Sequence, residues 1–370
     1  MTARQFSGLS VACAALLLGA ASVSQAQGLG DIAGATMPQF VSIKIGSGAS
    51  ASTVSQLTVP LVAVVPITSR FNIDVATSYA SSTVARSGKP NSEISGLTDT
   101  QVRANLTLGN DAVVLTVGAN LATGQYQIDT SKALAAGQIG NDFLIFPTSS
   151  YGSGNSATAG VAVAQTFGGW NVGIATSFRK STAFDAYQAV TNTGLASLRF
   201  TPADEVRARL GADRLIGDGR LAIGVTYSSF GKDVLDNTSY ATGDRYIGQA
   251  SLALPVNGAD LYVSSWALYR AKGQQLGGVS NPETVLDGAV SLGFHQGDLL
   301  IEPTLEGRNW TVDGIKAGLL GNVGVRLRWS SGAVMVMPTV TYQMGKLYDT
   351  GDGSSVNATG YRLALTVRVH

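Results

Sequence analysis

Apolar and polar residues alternate with a period of two along most of this chain. Between Phe71 and Tyr79, the odd positions carry Phe, Ile, Val, Thr and Tyr, whereas the even positions carry Asn, Asp, Ala and Ser. Successive side chains of a β-strand point to opposite faces, so this pattern predicts strands with one apolar and one polar face. Beyond residue 26, no segment approaches the roughly 18 continuous apolar residues of a membrane-spanning helix. The pattern therefore predicts an all-β chain.

Turn residues divide the alternating segments, and short turns alternate with long loops. Short turns rich in Gly and Asn, which accept a positive φ, are predicted at 67–69, 109–111, 168–169, 217–219, 257–258, 296–297 and 330–332. Long polar loops are predicted at 81–97, 123–155, 181–193, 231–244, 271–281, 310–315 and 346–356. Short turns at one rim and long loops at the other are typical of bacterial outer-membrane barrels.

This alternation divides the chain into sixteen strands with both ends at the short-turn rim. The strands are predicted near 39–46, 54–65, 70–80, 98–108, 112–122, 156–167, 170–180, 194–215, 219–230, 245–255, 259–270, 283–295, 298–309, 316–329, 333–345 and 357–369. Segment 194–215 is interpreted as one strand because its apolar positions keep one phase, although 201–204 also has the composition of a turn. We therefore predict a transmembrane, antiparallel, up-and-down β-barrel of about 16 strands. Fourteen strands with an N-terminal plug are the alternative.

Composition indicates which face of these strands meets lipid. The 370 residues are 45% hydrophobic and 13% charged, whereas a soluble globular protein has about 25% charged residues. Charged residues are nearly absent from the apolar face, and aromatic residues lie near the predicted strand ends, as in interfacial girdles. We therefore expect the apolar face to contact acyl chains and the small, polar face to surround water. The net charge of +1 lacks the basic excess of nucleic-acid-binding proteins, so no nucleic-acid partner is predicted.

The first 26 residues have the features of a cleaved signal peptide. Arg4 precedes an apolar run from Leu9 to Ala21, and Ser24-Gln25-Ala26 supplies the small residues of a cleavage site. The run is shorter than the roughly 20 residues that cross a bilayer as a helix. We predict a signal peptide over 1–26, an outer-membrane β-barrel over 27–370, and location in the cell outer membrane.

The sequence contains no motif of a hydrolase or a zinc enzyme. Histidine occurs only at His295 and His370, and neither has the neighbours of a zinc site or a hydrolase. The loop around Asp352 lacks the spaced acidic ligands of a calcium site. We predict no catalytic residue, no metal site and no cofactor, and we do not expect an enzyme.

Charged residues of the polar face are the candidate pore lining. They are Arg103, Arg179, Arg207, Arg209, Asp287, Glu302, Glu306, Arg326, Arg328 and Arg362. Asp74, Arg199, Glu205, Asp213 and Arg368 share the same phase. Charged side chains around a pore set its selectivity. Two interpretations remain open: acidic and basic walls that face each other and impose a transverse field, or ion pairs between neighbouring strands, such as Glu302 or Glu306 with Arg326 or Arg328.

The predicted loop 123–155 is the other candidate, because loops of about 30 residues are either functional or disordered. Its segment 130–139 is rich enough in alanine for a short helix, and 142–147 is an apolar patch. We predict that this loop folds into or over the barrel mouth, where Phe143 and Phe146 narrow the path or contact an apolar solute. A surface loop that closes onto its neighbours is the alternative.

Two stretches suggest a family. ISGLTDTQVRANLTLGNDAVVLTVGANLATG (94–124) and NDFLIFPTSSYGSGNSATAGVAVAQTFGGWNVGIATSFR (141–179) resemble bacterial outer-membrane β-barrel transporters of aromatic (phenol meta-pathway) degradation and hydrocarbon uptake. The resemblance implies passive passage of small solutes, including apolar or aromatic compounds, and partners among outer-membrane lipid, lipopolysaccharide and the barrel-assembly machinery. Such barrels usually end in an aromatic residue, whereas Val369 holds that position here. A structural or adhesive barrel without an open pore is the alternative function, and an outer-membrane enzyme is less favoured.

Overall fold

Sixteen antiparallel strands form one closed β-barrel. The computed structural model describes residues 33–125, 127–191, 194–332 and 334–369; the predicted signal peptide and His370 lie outside them. The barrel strands are β1 (Ala33–Thr36 and Gln39–Ile45), β2 (Ser52–Thr68), β3 (Phe71–Arg86), β4 (Lys89–Leu97 and Thr100–Leu108), β5 (Val113–Leu121), β6 (Ser156–Phe167), β7 (Trp170–Ser181), β8 (Glu205–Ile216), β9 (Gly219–Phe230), β10 (Arg245–Val256), β11 (Ala259–Arg270), β12 (Glu283–Gln296), β13 (Leu299–Val312), β14 (Ile315–Ser331), β15 (Val334–Tyr348) and β16 (Ser355–Val369).

The barrel closes between its first and last strands. Strand β1 pairs with β2 on one side and with β16 on the other, for example Ser42 with Ser55 and with Tyr361. Every strand therefore has two hydrogen-bonded neighbours, which removes the sheet edges. The prediction of sixteen strands is confirmed, and the alternative with fourteen strands and an N-terminal plug is wrong, because residues 33–45 are part of the wall.

The apolar face points outward and the polar face inward. Ile174 is 61% exposed and Leu305 is 60% exposed, whereas Glu302 and Arg308 on the other face are 0% and 3% exposed. Near the long-loop rim, Tyr227, Tyr246 and Tyr269 form an outward row in which successive ring centroids are 4.9 and 6.0 Å apart. This distribution of polarity is the reverse of that in a soluble sandwich.

Two predicted long loops are instead hairpins. Strands β3 and β4 continue to Arg86 and Lys89, and Asp313 and Gly314 alone join β13 to β14, with φ values of 51° and 76°. The 81–97 segment was mispredicted because two of its polar residues are shielded from water. Ser82 and Ser92 are buried on the inner face, where they form hydrogen bonds with residues of another segment.

The predicted strand 194–215 is wrong in its first half. Gly194–Thr201 pairs with Phe184–Thr191 in a small sheet that also contains Lys232–Leu235 and Thr238–Ala241. Arg199 therefore lies outside the barrel wall, opposite Asp185 of that sheet. Pro202 has no N–H to donate to a neighbouring strand, and residues 202–204 form a connection. Ala203 N donates to the Asp233 carboxylate at 2.9 Å, and Ser181 N donates to the Asp204 carboxylate at 3.1 Å. The barrel strand begins at Glu205.

The segment between β5 and β6 contains a short helix, α1 (Ala133–Ile139). It begins three residues after the start of the predicted helix because Asp129 accepts hydrogen bonds from Ser131 N and Lys132 N, at 2.9 and 3.2 Å, in a turn. Among the residues described above, no helix is long and apolar enough to cross a membrane.

Candidate functional site

Residues 122–125 and 127–155, which join β5 to β6, are called the inner loop here. From α1 to Tyr151 this loop packs against the inner face of the barrel wall, whereas Ile128 is hydrogen-bonded to Ala186 and Gln188 of the small sheet. Asp99, between the two segments of β4, holds the ends of the loop through hydrogen bonds from Asn120 Nδ2 (2.8 Å) and Ser153 N (2.7 Å). A β-carbon at Gly124 would lie 2.0 Å from a carbonyl oxygen of the returning chain. The root of the loop therefore requires glycine at this close approach.

One side of the inner loop is hydrogen-bonded to β2, β3 and β4. The buried Gln56 side chain donates to Thr148 O at 2.7 Å and accepts from Thr148 N at 2.8 Å. The Tyr151 hydroxyl lies 2.9 Å from Ser82 Oγ and donates to Ile94 O at 2.8 Å. Buried polar groups of wall and loop thus satisfy each other, as burial requires.

Helix α1 adds an apolar contact on the same side. Ser92 accepts from Ala135 N at 3.1 Å and donates to Ser131 O. The buried side chain of Ile139 belongs to an apolar cluster together with wall residues Val41, Ile43, Val54, Val84, Ile94 and Ala358. A hydrophobic core therefore forms inside the barrel, between the inner loop and the wall.

The other side of the inner loop is anchored on β13, β14 and β16. Arg308 Nη1 donates to Phe143 O at 3.0 Å, and the Phe143 ring stacks on Trp310 with centroids 5.4 Å apart. Arg362 Nη2 donates to Ile145 O at 3.0 Å. Ile145 has φ of 46°, which is strained for a β-branched residue. The arginine contact helps to hold this strained turn in place.

The two predicted constriction residues are buried in the loop. Phe143 has no exposed surface and Phe146 is 6% exposed. Both belong to the apolar cluster with Leu144. In this arrangement Phe143 and Phe146 secure the inner loop to the wall, and their rings face protein atoms. Any narrowing of the path comes from the loop as a whole.

The acidic and basic residues of β12 to β14 are neighbours. Arg308 pairs with Asp287 at 2.9 Å and with Glu306, and Arg326 forms two hydrogen bonds to the buried Glu302, at 2.7 and 2.9 Å. These residues form ion pairs across adjacent strands, as the second interpretation predicted for Glu302 and Arg326. The opposing acidic and basic walls of the first interpretation are not found for these residues.

A second charged group lies on β7 to β12. Glu205 pairs with Arg179 at 3.3 Å and with Arg207 at 2.7 Å. Arg270 pairs with Asp142 of the inner loop at 2.5 Å and with Glu283 at 3.6 Å. The inner loop and the wall therefore share a charged contact at the long-loop side of the barrel.

The remaining predicted residues are Arg103, Arg209 and Arg328. Arg103 pairs with Asp74 at 3.6 Å on β3 and β4. Arg209 and Arg328 follow Arg207 and Arg326, two residues further along β8 and β14. The structure thus distributes the predicted pore residues over several parts of the wall.

Sequence patterning did not single out Arg245, Arg270 or Arg308. Each lies at an end of a predicted strand, in 245–255, 259–270 or 298–309, and holds the polar phase. In the sequence, only their charge and their position on the polar face could have identified these arginines as functional residues. The inner-loop partners of Arg270 and Arg308 were not visible in the sequence.

His295 pairs with Asp260 at 2.8 Å, near the short-turn rim. The Tyr262 hydroxyl donates to the same carboxylate at 3.2 Å. Within the described ranges, no group of three or more His, Cys, Asp and Glu side chains is arranged to hold a metal ion.

The Tyr151 hydroxyl should lose its proton at a higher pH than an ordinary tyrosine. Burial raises the pKa of its hydroxyl from 10.0 to about 12. Because the folded-state pKa is raised, the contribution of Tyr151 to loop docking is fully present below pH 10.0 and is lost as pH rises through about 12. We expect the ultraviolet difference titration of wild type minus Tyr151→Phe to have its midpoint near pH 12. A midpoint at the ordinary tyrosine value would contradict the docked position of this hydroxyl.

Comparison with known proteins gives structural matches only. No family model and no curated protein match the sequence. The chain is similar to OprB of Pseudomonas putida (10% identity, TM-score 0.47, 90% of this chain and 93% of that chain) and to an outer membrane channel of Pseudomonas putida F1 (15%, 0.40, 94% and 98%). It is also similar to OccAB2 of Acinetobacter baumannii (9%, 0.39, 92% and 100%).

Proposed function

We propose that this protein is an outer-membrane channel for passive diffusion of small solutes. The observation that carries the proposal is the reversed polarity of the closed barrel: its exterior is apolar and its interior is polar and charged. Such an exterior matches acyl chains, and a closed barrel satisfies all backbone hydrogen bonds within them. Barrels of 16 to 18 strands are wide enough to hold an aqueous channel.

The proposed path runs beside the inner loop. The anchoring contacts of the loop fall on β2 to β4 and on β11 to β16, whereas Arg179, Arg207, Arg209 and Arg245 line β7, β8 and β10. The Arg207 side chain is 53% exposed. We therefore propose that solutes pass between the inner loop and this basic arc, which favours polar and anionic solutes. Aromatic compounds fit this path best when they carry an anionic group.

The route to the membrane is part of the same proposal. We propose that the segment 1–26 directs export and that the barrel-assembly machinery inserts the barrel into a membrane containing lipopolysaccharide. The strand alternation from Tyr361 to Val367 supplies the apolar outer face of the last strand.

A structural barrel without an open pore is the second candidate. It is favoured by the hydrophobic core that the inner loop forms with the wall. Liposome swelling separates the two candidates: a channel lets sugars, organic acids and aromatic acids enter at rates that fall with solute size. If none of these solutes enters, and planar bilayers with the protein stay silent, the channel proposal is wrong.

A further inference from the structure

Three arginines lie in one register row of the barrel wall. Arg207 of β8 is directly opposite Ser228 of β9, Ser228 is opposite Arg245 of β10, and Arg245 is opposite Arg270 of β11. Neighbouring strands are about 4.8 Å apart, so the row spans about 14 Å. We call these four residues the arginine row.

The two ends of the arginine row are neutralised by carboxylates. Arg207 pairs with Glu205 at 2.7 Å, and its Nε donates to Ser228 Oγ at 3.3 Å. Arg270 pairs with Asp142 at 2.5 Å and with Glu283 at 3.6 Å. Carboxylate partners therefore fix the orientation of the guanidinium groups at both ends.

The centre of the row is different. Among the residues that the structure describes, no carboxylate lies within salt-bridge distance of Arg245, and its Nε is buried without a hydrogen-bond partner. Its guanidinium carbon lies 6.0 Å from the centre of the Phe230 ring. A partly buried guanidinium between two other arginines has an unfavourable free energy unless an anion compensates it.

From this geometry we infer that Arg245 is the centre of a binding site for the oxyanion group of a permeating acid. Arginine presents N–H donors in a planar fork that matches the two oxygens of a carboxylate or phosphate. The Phe230 ring supplies an apolar face for the body of the solute. This inference rests on the proposed function, because it assigns the solute class of the channel.

The position of the site adds selectivity to binding. Asp142 belongs to the inner loop and contacts Arg270, so the arginine row borders the narrowed part of the proposed path. An anion held there lies directly on the route of permeation. Basic side chains at such a position select for anions and phosphate in other pores.

Titration calorimetry on the detergent-solubilised protein tests the site without requiring conduction. The probes are benzoate and inorganic phosphate, with Arg245→Gln as the test and Arg220→Gln as the matched control. Arg220 lies at the opposite end of β9 and pairs with Asp213 at 3.0 Å, so its replacement makes the same charge change elsewhere in the lumen. We expect Arg245→Gln to weaken binding about tenfold or more, which is the effect of losing one charge-assisted contact, and Arg220→Gln to leave it within about twofold.

Arg245→Lys separates charge from shape. It should preserve the anion-to-cation permeability ratio in planar bilayers while weakening oxyanion binding, because lysine lacks the fork. Tighter binding of benzoate than of phosphate assigns the site to carboxylates, and the reverse order assigns it to phosphate esters. No binding of either probe to wild type, or equal losses in Arg245→Gln and Arg220→Gln, would overturn the inference. If the protein binds a probe but shows no conductance in planar bilayers, only the channel proposal is rejected.

Discussion

Replacement of residues 130–147 by a short Gly-Ser linker is expected to raise single-channel conductance by about twofold or more, since a 16-strand barrel without internal segments is a wide aqueous channel. The replacement removes α1, Phe143 and Phe146, which carry the contacts to both sides of the wall. It keeps the root of the inner loop, where Asp99 binds Asn120 and Ser153. The measurement is conductance in planar bilayers at fixed salt concentration.

The control for this deletion is the fold of the barrel. The shortened protein should retain the far-ultraviolet circular dichroism of a β-protein, because the sixteen strands pair with one another and not with the deleted segment. An unchanged conductance in a folded variant would show that the inner loop does not narrow the path. The prediction that residues 123–155 form a constriction would then be wrong.

Gly318→Ala is expected to release the inner loop from β14. A β-carbon at Gly318 would lie 2.6 Å from Cε1 and 2.7 Å from Cζ of Phe143. The ring would have to leave its place on Trp310, and overpacking of this kind costs about 1–3 kcal/mol. The docked loop should therefore open about tenfold more often, since 1.4 kcal/mol is about a factor of ten in an equilibrium. Limited proteolysis of the inner loop in detergent measures the opening directly.

Gly321→Ala is the matched control for Gly318→Ala. It makes the same change three residues along β14, where the nearest atom to the new β-carbon is 3.9 Å away. We expect its cleavage rate to equal that of wild type. Equal rates in the two variants would contradict the position of Phe143 against the wall.

The strand pattern was predictable because it depends on local chemistry. A barrel wall separates an apolar from a polar environment, so apolar and polar side chains alternate along every strand. The same property explains the main error in strand assignment. Residues 194–201 alternate in the same phase as 205–216. Residues 194–201 nevertheless pair with Phe184–Thr191 and Lys232–Leu235, outside the barrel. Alternation identifies a strand and does not identify its neighbours.

The inner loop shows where local information ends. Its length and its apolar patch distinguished it from the other loops, and its helix was predicted within three residues. Its partners were not predictable, because Gln56 and Thr148 are 92 positions apart and Arg362 and Ile145 are 217 positions apart. Buried Ser82 and Ser92 were interpreted as loop residues for the same reason. Their polarity matches the inner loop, which the sequence does not place beside them.

The amino-acid sequence by itself determined the all-β class, the number of barrel strands, and which face of each strand is apolar, because these follow from side-chain alternation and turn chemistry within a few residues. The tertiary structure alone decided that the inner loop forms a core with β2 to β4 and β11 to β16 and that Arg245 lies between Arg207 and Arg270 without a carboxylate of its own. Those properties arise from barrel closure and from the stagger of the strands, which bring distant residues together.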